Sequence, residues 1–161
     1  MTQKQRMEQG LIYDPTADEI MNEQTGVAQY LKEYNSLGLG DEKRIEELLR
    51  LMLAECGENC YIQPPFYANW GGAHLHLGNN VYANFNLTAV DDGHIYIGDC
   101  TMIGPNVTIA TAGHPILPSL SPSGIKLLAT GVAIANMLWN IIVPKTTWKT
   151  VTRLGVAPPI K

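Results

Sequence analysis

The chain has 161 residues, enough for one globular domain with a modest appendage. Hydrophobic residues make up 45% and charged residues only 16%, so a core can be buried. The net charge of −4, and a stretch from 61 to 125 without any Lys or Arg, leave no basic patch for nucleic acid or anionic membranes.

Charge is divided unevenly. Residues 1–60 hold 12 of the 15 acids and 6 of the 11 bases, whereas 61–125 hold only Asp91, Asp92 and Asp99. A charged N-terminal segment is therefore joined to a nearly uncharged body. No basic n-region followed by an apolar stretch opens the sequence, so no secretory leader is expected. Cys56, Cys60 and Cys100 form no disulfide framework, and a reducing cytoplasm is the expected compartment. The spacing of "CGENC" suits neither a redox pair nor a zinc pair.

The first elements read as helices. "MTQKQRMEQG" predicts a short amphipathic turn or two stopped by Gly10. Thr16 and Glu19 fit a capping box for a second helix, weakened near Gly26 and resumed through "VAQYLKEYN". Asp41 then caps a stronger helix, in which Ile45, Leu48, Leu49 and Met52 share one apolar stripe. Gly57 closes the helical lead-in, assigned to residues 1–57.

From Tyr61 the helical period gives way to a six-residue rhythm. Ile97, Ile103 and Ile109 are each followed by a small residue, and Leu77-Gly78 and Ala83-Asn84 keep the step upstream. Val81, Leu87, Thr101 and Val107 fill a second column. Between Ala83 and Ile97 two extra residues enter around Asp91-Asp92-Gly93. A side chain that returns inward every sixth residue requires a parallel β-helix, three hexads to a triangular coil. Short antiparallel strands with coincidental glycines are the alternative.

After Leu120 the rhythm is lost. Ile125 to Val143 is a mostly apolar run, but Lys126, Thr130, Asn136 and Asn140 argue against a membrane span. A buried helix or an ill-packed segment is expected instead.

Three stretches, "PPFYANWG", "YANFNLTAVDD" and "IGPNVTIATAGHP", resemble the maltose/galactoside O-acetyltransferases of the hexapeptide-repeat acyltransferase superfamily. "GLIYDP" and "LKEYN" are similar to that family's helical lead-in, and the resemblance spans about residues 5–120. It implies a mainly β protein: a shortened left-handed parallel β-helix over residues 58–118, an exception to the right-handed crossover rule. It also implies a homotrimer with sites between subunits, and acetyl transfer from acetyl-CoA to a sugar hydroxyl. By match to the family pattern, His114 would be the catalytic base, and Asp14, Asn69, Tyr82, Asn84 and Asp92 would face the acceptor sugar.

The chemistry suits those residues. A neutral imidazole can take the proton of a weakly nucleophilic hydroxyl. Pro115 favours an extended backbone at His114, and Gly113 permits a sharp turn before it. On spacing alone His114 reads as an ordinary loop histidine; the neighbouring motifs give it a role. Asp14, Asn84 and Asp92 offer short polar groups to sugar hydroxyls. Each also has a plain reading: Asp14 as a cap, Asn84 as a corner residue, Asp91 and Asp92 as a solvated tip, Tyr82 as packing.

His74 and His76 share one strand face, which alone is too few ligands for zinc as in a β-helix carbonic anhydrase. His94 gives no sign of being a third, and no metal is expected.

Residues 119–161 depart from the family. Its later coils, with oxyanion donors and basic residues for CoA, have no counterpart in register, and Asn136, Trp139 and Ile142-Val143-Pro144 only faintly echo them. The CoA-contacting residues are unassigned. A frame-shifted reading of an acetyltransferase gene is the favoured account of this segment; a genuine variant is the other. Two functions follow: a sugar O-acetyltransferase with an impaired donor site, or a non-catalytic β-helix module that serves oligomerisation.

Overall fold

The computed structural model describes residues 1–114, and the backbone of 127–135. Helix α1 (Gln3–Glu8) carries a capping box between Thr2 and Gln5, and the chain turns at Gly10, with φ of +65°. A two-residue strand β1 (Ile12–Tyr13) follows, then α2 (Asp18–Tyr34) and α3 (Glu42–Met52). Helix α2 runs unbroken through Gly26, whose missing Cβ has nothing within 4 Å. Its N-cap is Ala17 rather than Thr16. The Thr16 hydroxyl and amide are already donated to the Asp14 carboxylate, at 2.7 and 2.9 Å.

The body is a stack of three triangular coils. Coil one comprises β2 (Glu55–Cys56), β3 (Tyr61–Ile62) and β4 (Phe66–Ala68); coil two comprises β5 (Leu75–Leu77), β6 (Tyr82–Ala83) and β7 (Leu87–Val90). Coil three comprises β8 (Ile95–Ile97), β9 (Met102–Ile103) and β10 (Thr108–Gly113). Each face is a parallel sheet, ordered β2-β5-β8, β3-β6-β9 and β4-β7-β10. This is the expected left-handed parallel β-helix, shortened, with a helical lead-in.

The register also shows where the hexads are interrupted. Cys56 pairs with Leu77 and Leu77 with Ile97, steps of 21 and 20 residues where three hexads alone require 18. The two-residue excess is the insertion expected at Asp91–Gly93; the three-residue excess falls at the Gly71–Ala73 turn, where Gly71 and Gly72 have positive φ.

The expected columns point inward. Leu77, Val81, Ala83, Leu87, Thr101, Ile103, Val107 and Ile109 are buried, Ile97 is half-buried against the same core, and Ala89, which the columns did not include, is buried with them. Alternation on such short strands puts two or three side chains per face into the prism, and no polar residue among them except Thr101 needs a partner; its hydroxyl donates to the Gly98 carbonyl at 2.7 Å. The apolar stripe of α3, Ile45, Leu48, Leu49 and Met52, joins this core and closes the first coil. Tyr34 donates its hydroxyl to the Ile62 carbonyl, and the Asn35 amide brackets the backbone of Phe66, accepting from its N–H and donating to its carbonyl. The lead-in thus satisfies backbone groups on the open side of coil one.

At the other end, part of the apolar run expected as a buried helix or an ill-packed segment instead forms strand β11 (Leu127–Ala135), antiparallel to β10 and to β1. The edge of β10 offers unpaired backbone groups, and an extended segment rich in small and β-branched residues can satisfy them. Pro115 and the stretch from Asn136 onward lie outside the described residues.

Candidate active site

The residue that organises the site is Asp91, fully buried after the end of β7. Its carboxylate accepts the N–H groups of Trp70 at 2.8 Å and Gly72 at 3.0 Å, one coil earlier. Its carbonyl lies 2.6 Å from His74 Nδ1. From the next coil, Thr111 accepts the Gly93 N–H and donates to the Val90 carbonyl. Burial pushes the Asp91 carboxyl pKa up, opposed chiefly by the backbone donors. The insertion is therefore clamped from both sides, and the reading of Asp91 and Asp92 as a solvated tip is corrected: their partners lie some 20 and more residues away in sequence, beyond what local composition reveals.

This clamp fixes Asp92, only 3% exposed. Its Oδ1 accepts the Tyr13 hydroxyl at 2.8 Å, and its Oδ2 accepts the Asn69 amide at 3.1 Å. Asn69 follows β4, Asp92 follows β7 and His114 follows β10, so the three stand at the C-terminal ends of neighbouring parallel strands. Asp14 follows Tyr13 in the chain and is exposed; its carboxylate accepts the Thr16 N–H and hydroxyl, so the plain reading of Asp14 as a helix cap is corrected, the N-cap of α2 being Ala17.

His114 is exposed. Gly113 before it is the last residue of β10, paired with Leu128, so the sharp turn expected at Gly113 is not made there.

Tyr82 and Asn84 are not brought to this group within one chain. Both precede β7, at the end opposite Asp92. Tyr82 stacks on Tyr61 with ring centroids 6.2 Å apart, and Asn84 accepts the Phe85 N–H at 2.8 Å.

Sequence reasoning missed Tyr13 and the role of His94. The three imidazoles His74, His76 and His94 form one cluster: His76 Nε2 is 2.8 Å from His94 Nδ1, and the His74 and His94 rings lie 5.1 Å apart. His76 Nδ1 is 2.9 Å from Glu55 Oε2, without hydrogen-bond alignment. The signal was available, since His94 follows His74 by the same 20 residues that separate Gly78 from Gly98. Among the described residues no group of three His, Cys, Asp or Glu side chains is arranged to hold a metal ion. A cleft of about 250 Å³ beside the cluster is lined by Glu8, His74, Asp92, Gly93, His94 and Tyr96, with Met7 at its wall.

Comparison with known proteins agrees with this architecture. Residues 6–57 match the maltose acetyltransferase hexapeptide capping motif. The chain is 46% identical over 115 residues to the galactoside O-acetyltransferase of Lactococcus lactis, covering 71% of this chain and 56% of that protein. It is 32% identical to the galactoside O-acetyltransferase of Escherichia coli, over 86% of this chain and 68% of that one. A solved galactoside acetyltransferase in complex with coenzyme A superposes with a TM-score of 0.74 at 32% identity, over 80% of this chain and 64% of that chain. The chain thus spans little more than half the length of the Lactococcus protein. With its lead-in matching the family's capping motif and its sequence 32% identical to a relative of which it covers 68%, the chain belongs to the maltose and galactoside O-acetyltransferase family.

Proposed function

We propose that this chain is an acetyl-CoA-dependent O-acetyltransferase acting on a sugar hydroxyl of the maltose, glucose or galactoside type. The observation that carries the reading is that Asn69, Asp92 and His114 each follow the C-terminal end of one of three adjacent strands, with Asn69 bonded to Asp92, in a member of this family. His114 is the general base. Its neutral imidazole accepts the hydroxyl proton as the sugar oxygen forms its bond to the thioester carbonyl carbon. The C–S bond then breaks and the proton passes to the departing thiolate. A ternary complex suffices, and no residue of the chain is acetylated.

Asp14, Asn69, Tyr82, Asn84 and Asp92 face the acceptor. Because Tyr82 and Asn84 stand at the far end of β7, a complete site takes one edge from each of two copies, which supports a homotrimer. The division into a lead-in (1–57), coils (58–118) and a divergent segment (119–161) goes with a weakened donor side, since no Lys or Arg within 61–125 is available to the CoA phosphates. A missing oxyanion donor alone costs a factor of ~10²–10³ in rate. Three free cysteines suit a cytoplasmic protein, and no helix among the described residues is long and apolar enough to cross a membrane.

The test is acetyl-CoA consumption with maltose, glucose or a galactoside as acceptor. Wild type is expected to exceed His114→Ala by two orders of magnitude or more; equal rates would remove the proposal.

A further inference from the structure

Resting on the acetyltransferase reading, we propose that Tyr13 is a positioning residue, which holds the Asp92 carboxylate in the one orientation that can receive acceptor hydroxyls. Tyr13 is 1% exposed and packs with Met7, Ile20 and Trp70. Its backbone is held in β1, paired with β11. The ring cannot swing to water, so its hydroxyl is a fixed donor aimed at Asp92 Oδ1. Asn69 takes the other oxygen.

A carboxylate offers about two acceptor sites on each oxygen. Tyr13 occupies one on Oδ1 and Asn69 one on Oδ2, and two donors on different oxygens oppose rotation of the carboxylate. What is left is one acceptor site per oxygen, two in a plane, next to the cleft that Asp92 lines. Two coplanar acceptors fixed in this way fit a pair of neighbouring hydroxyls on a pyranose ring better than a freely turning carboxylate would.

The donor role of Tyr13 is stable to pH. Burial, and then the bond to Asp92 and its charge, push the phenol pKa well above its ordinary value, so the proton stays on the tyrosine throughout the neutral range.

Tyr13→Phe removes one atom and keeps the ring. Initial rates with acceptor and acetyl-CoA varied separately, together with calorimetric binding of the acceptor sugar without acetyl-CoA, test the inference. The variant is expected to raise the acceptor KM and the sugar Kd about tenfold or more, the size of a lost bond to a charged group, with the acetyl-CoA KM unchanged. If the acceptor KM and Kd are unchanged and only the melting temperature falls, Tyr13 merely fastens the lead-in and the inference fails while the enzyme reading stands. If wild type transfers no acetyl group but binds a sugar that Tyr13→Phe binds tenfold worse, the enzyme reading fails and the positioning role stands. A wild type that neither acetylates nor binds any of these sugars sinks both.

Discussion

Gly57 and Gly78 stack so closely in successive coils that a Cβ on Gly57 would lie 2.5 Å from the Gly78 carbonyl carbon and 2.8 Å from Asn79 N. Gly78 in turn would meet Asp99 N at 2.7 Å. These are backbone atoms of neighbouring coils and cannot yield like a side-chain tip. Glycine stands at positions 57 and 78 because the corners of the prism touch there.

Gly57→Ala should therefore destabilise by about 1–3 kcal/mol, the usual cost of overpacking. Gly26→Ala should do the opposite, gaining about 0.5–1 kcal/mol, because its site in α2 is open and helical. In a chain of this length each kcal/mol moves the melting temperature by about 2–4 °C. Thermal melts of the two variants should move in opposite directions; a stabilised Gly57→Ala would refute the tight stacking.

The coils were legible because the six-residue period is written locally. The hexads at Leu77, Ile97, Ile103 and Ile109 each carry their own aliphatic and small pair, so neither Leu77 nor Ile103 needs distant information to be assigned inward. The site was less legible. Asp91 looks like a turn tip by composition, and only Trp70, Gly72 and Thr111, gathered by the 20- and 21-residue coil steps, make it a buried clamp. Thr16 fits a capping box by pattern, but Asp14 competes for its hydroxyl and wins. Strand β11 has no six-residue signal because its partner is an open edge, and its register is set by β10 and β1.

Asp91→Asn tests the clamp. The amide keeps one acceptor but turns N–H groups toward the N–H of Trp70 or Gly72, leaving a buried donor unpaired at about 1–3 kcal/mol. The turn that carries Asn69 loosens with it. We expect a lower melting temperature and faster hydrogen exchange at the Trp70 and Gly72 amides. Unchanged exchange at those amides would show that the turn holds without Asp91.

The histidine cluster predicts a pH dependence. Burial pulls the His94 pKa below its ordinary value; His74 and His76 act in the same direction and Glu8 against it. The His76–His94 contact at 2.8 Å needs one lone pair between the two rings, and a doubly protonated pair has none. Other titratable groups facing the cluster are Glu55, Asp91, Asp92 and Tyr96. A depressed histidine pKa means that the unfolded chain binds more protons in this window. Stability from His94 is therefore present above about pH 6.5 and is lost as pH falls through the lower folded value. His94→Gln should flatten the acid limb of melting temperature against pH between those two points. An identical slope in variant and wild type would exclude His94 as its source.

One corner departs from its column. Asn59, Asn80 and Cys100 occupy the same position in successive coils, all with φ of 55–57°. Asn59 donates its amide to the Asn80 side-chain oxygen at 3.2 Å, and the next corner repeats the ladder between Asn86 and Asn106 at 3.0 Å. Asparagine tolerates the left-handed region where other side chains crowd their own carbonyl, a cost of roughly 1–2 kcal/mol. Cysteine at position 100 bears that strain and gives the Asn80 amide no oxygen to donate to. Cys100→Asn should extend the ladder by one rung and raise stability by about 0.5–1.5 kcal/mol, the net worth of a hydrogen bond with some strain relieved. Cys100→Gly relieves the strain without adding the rung, so it should stabilise less. A thermal melt in which the glycine variant equals or exceeds the asparagine variant would mean that the amide ladder adds nothing and that backbone geometry alone selects the corner residue.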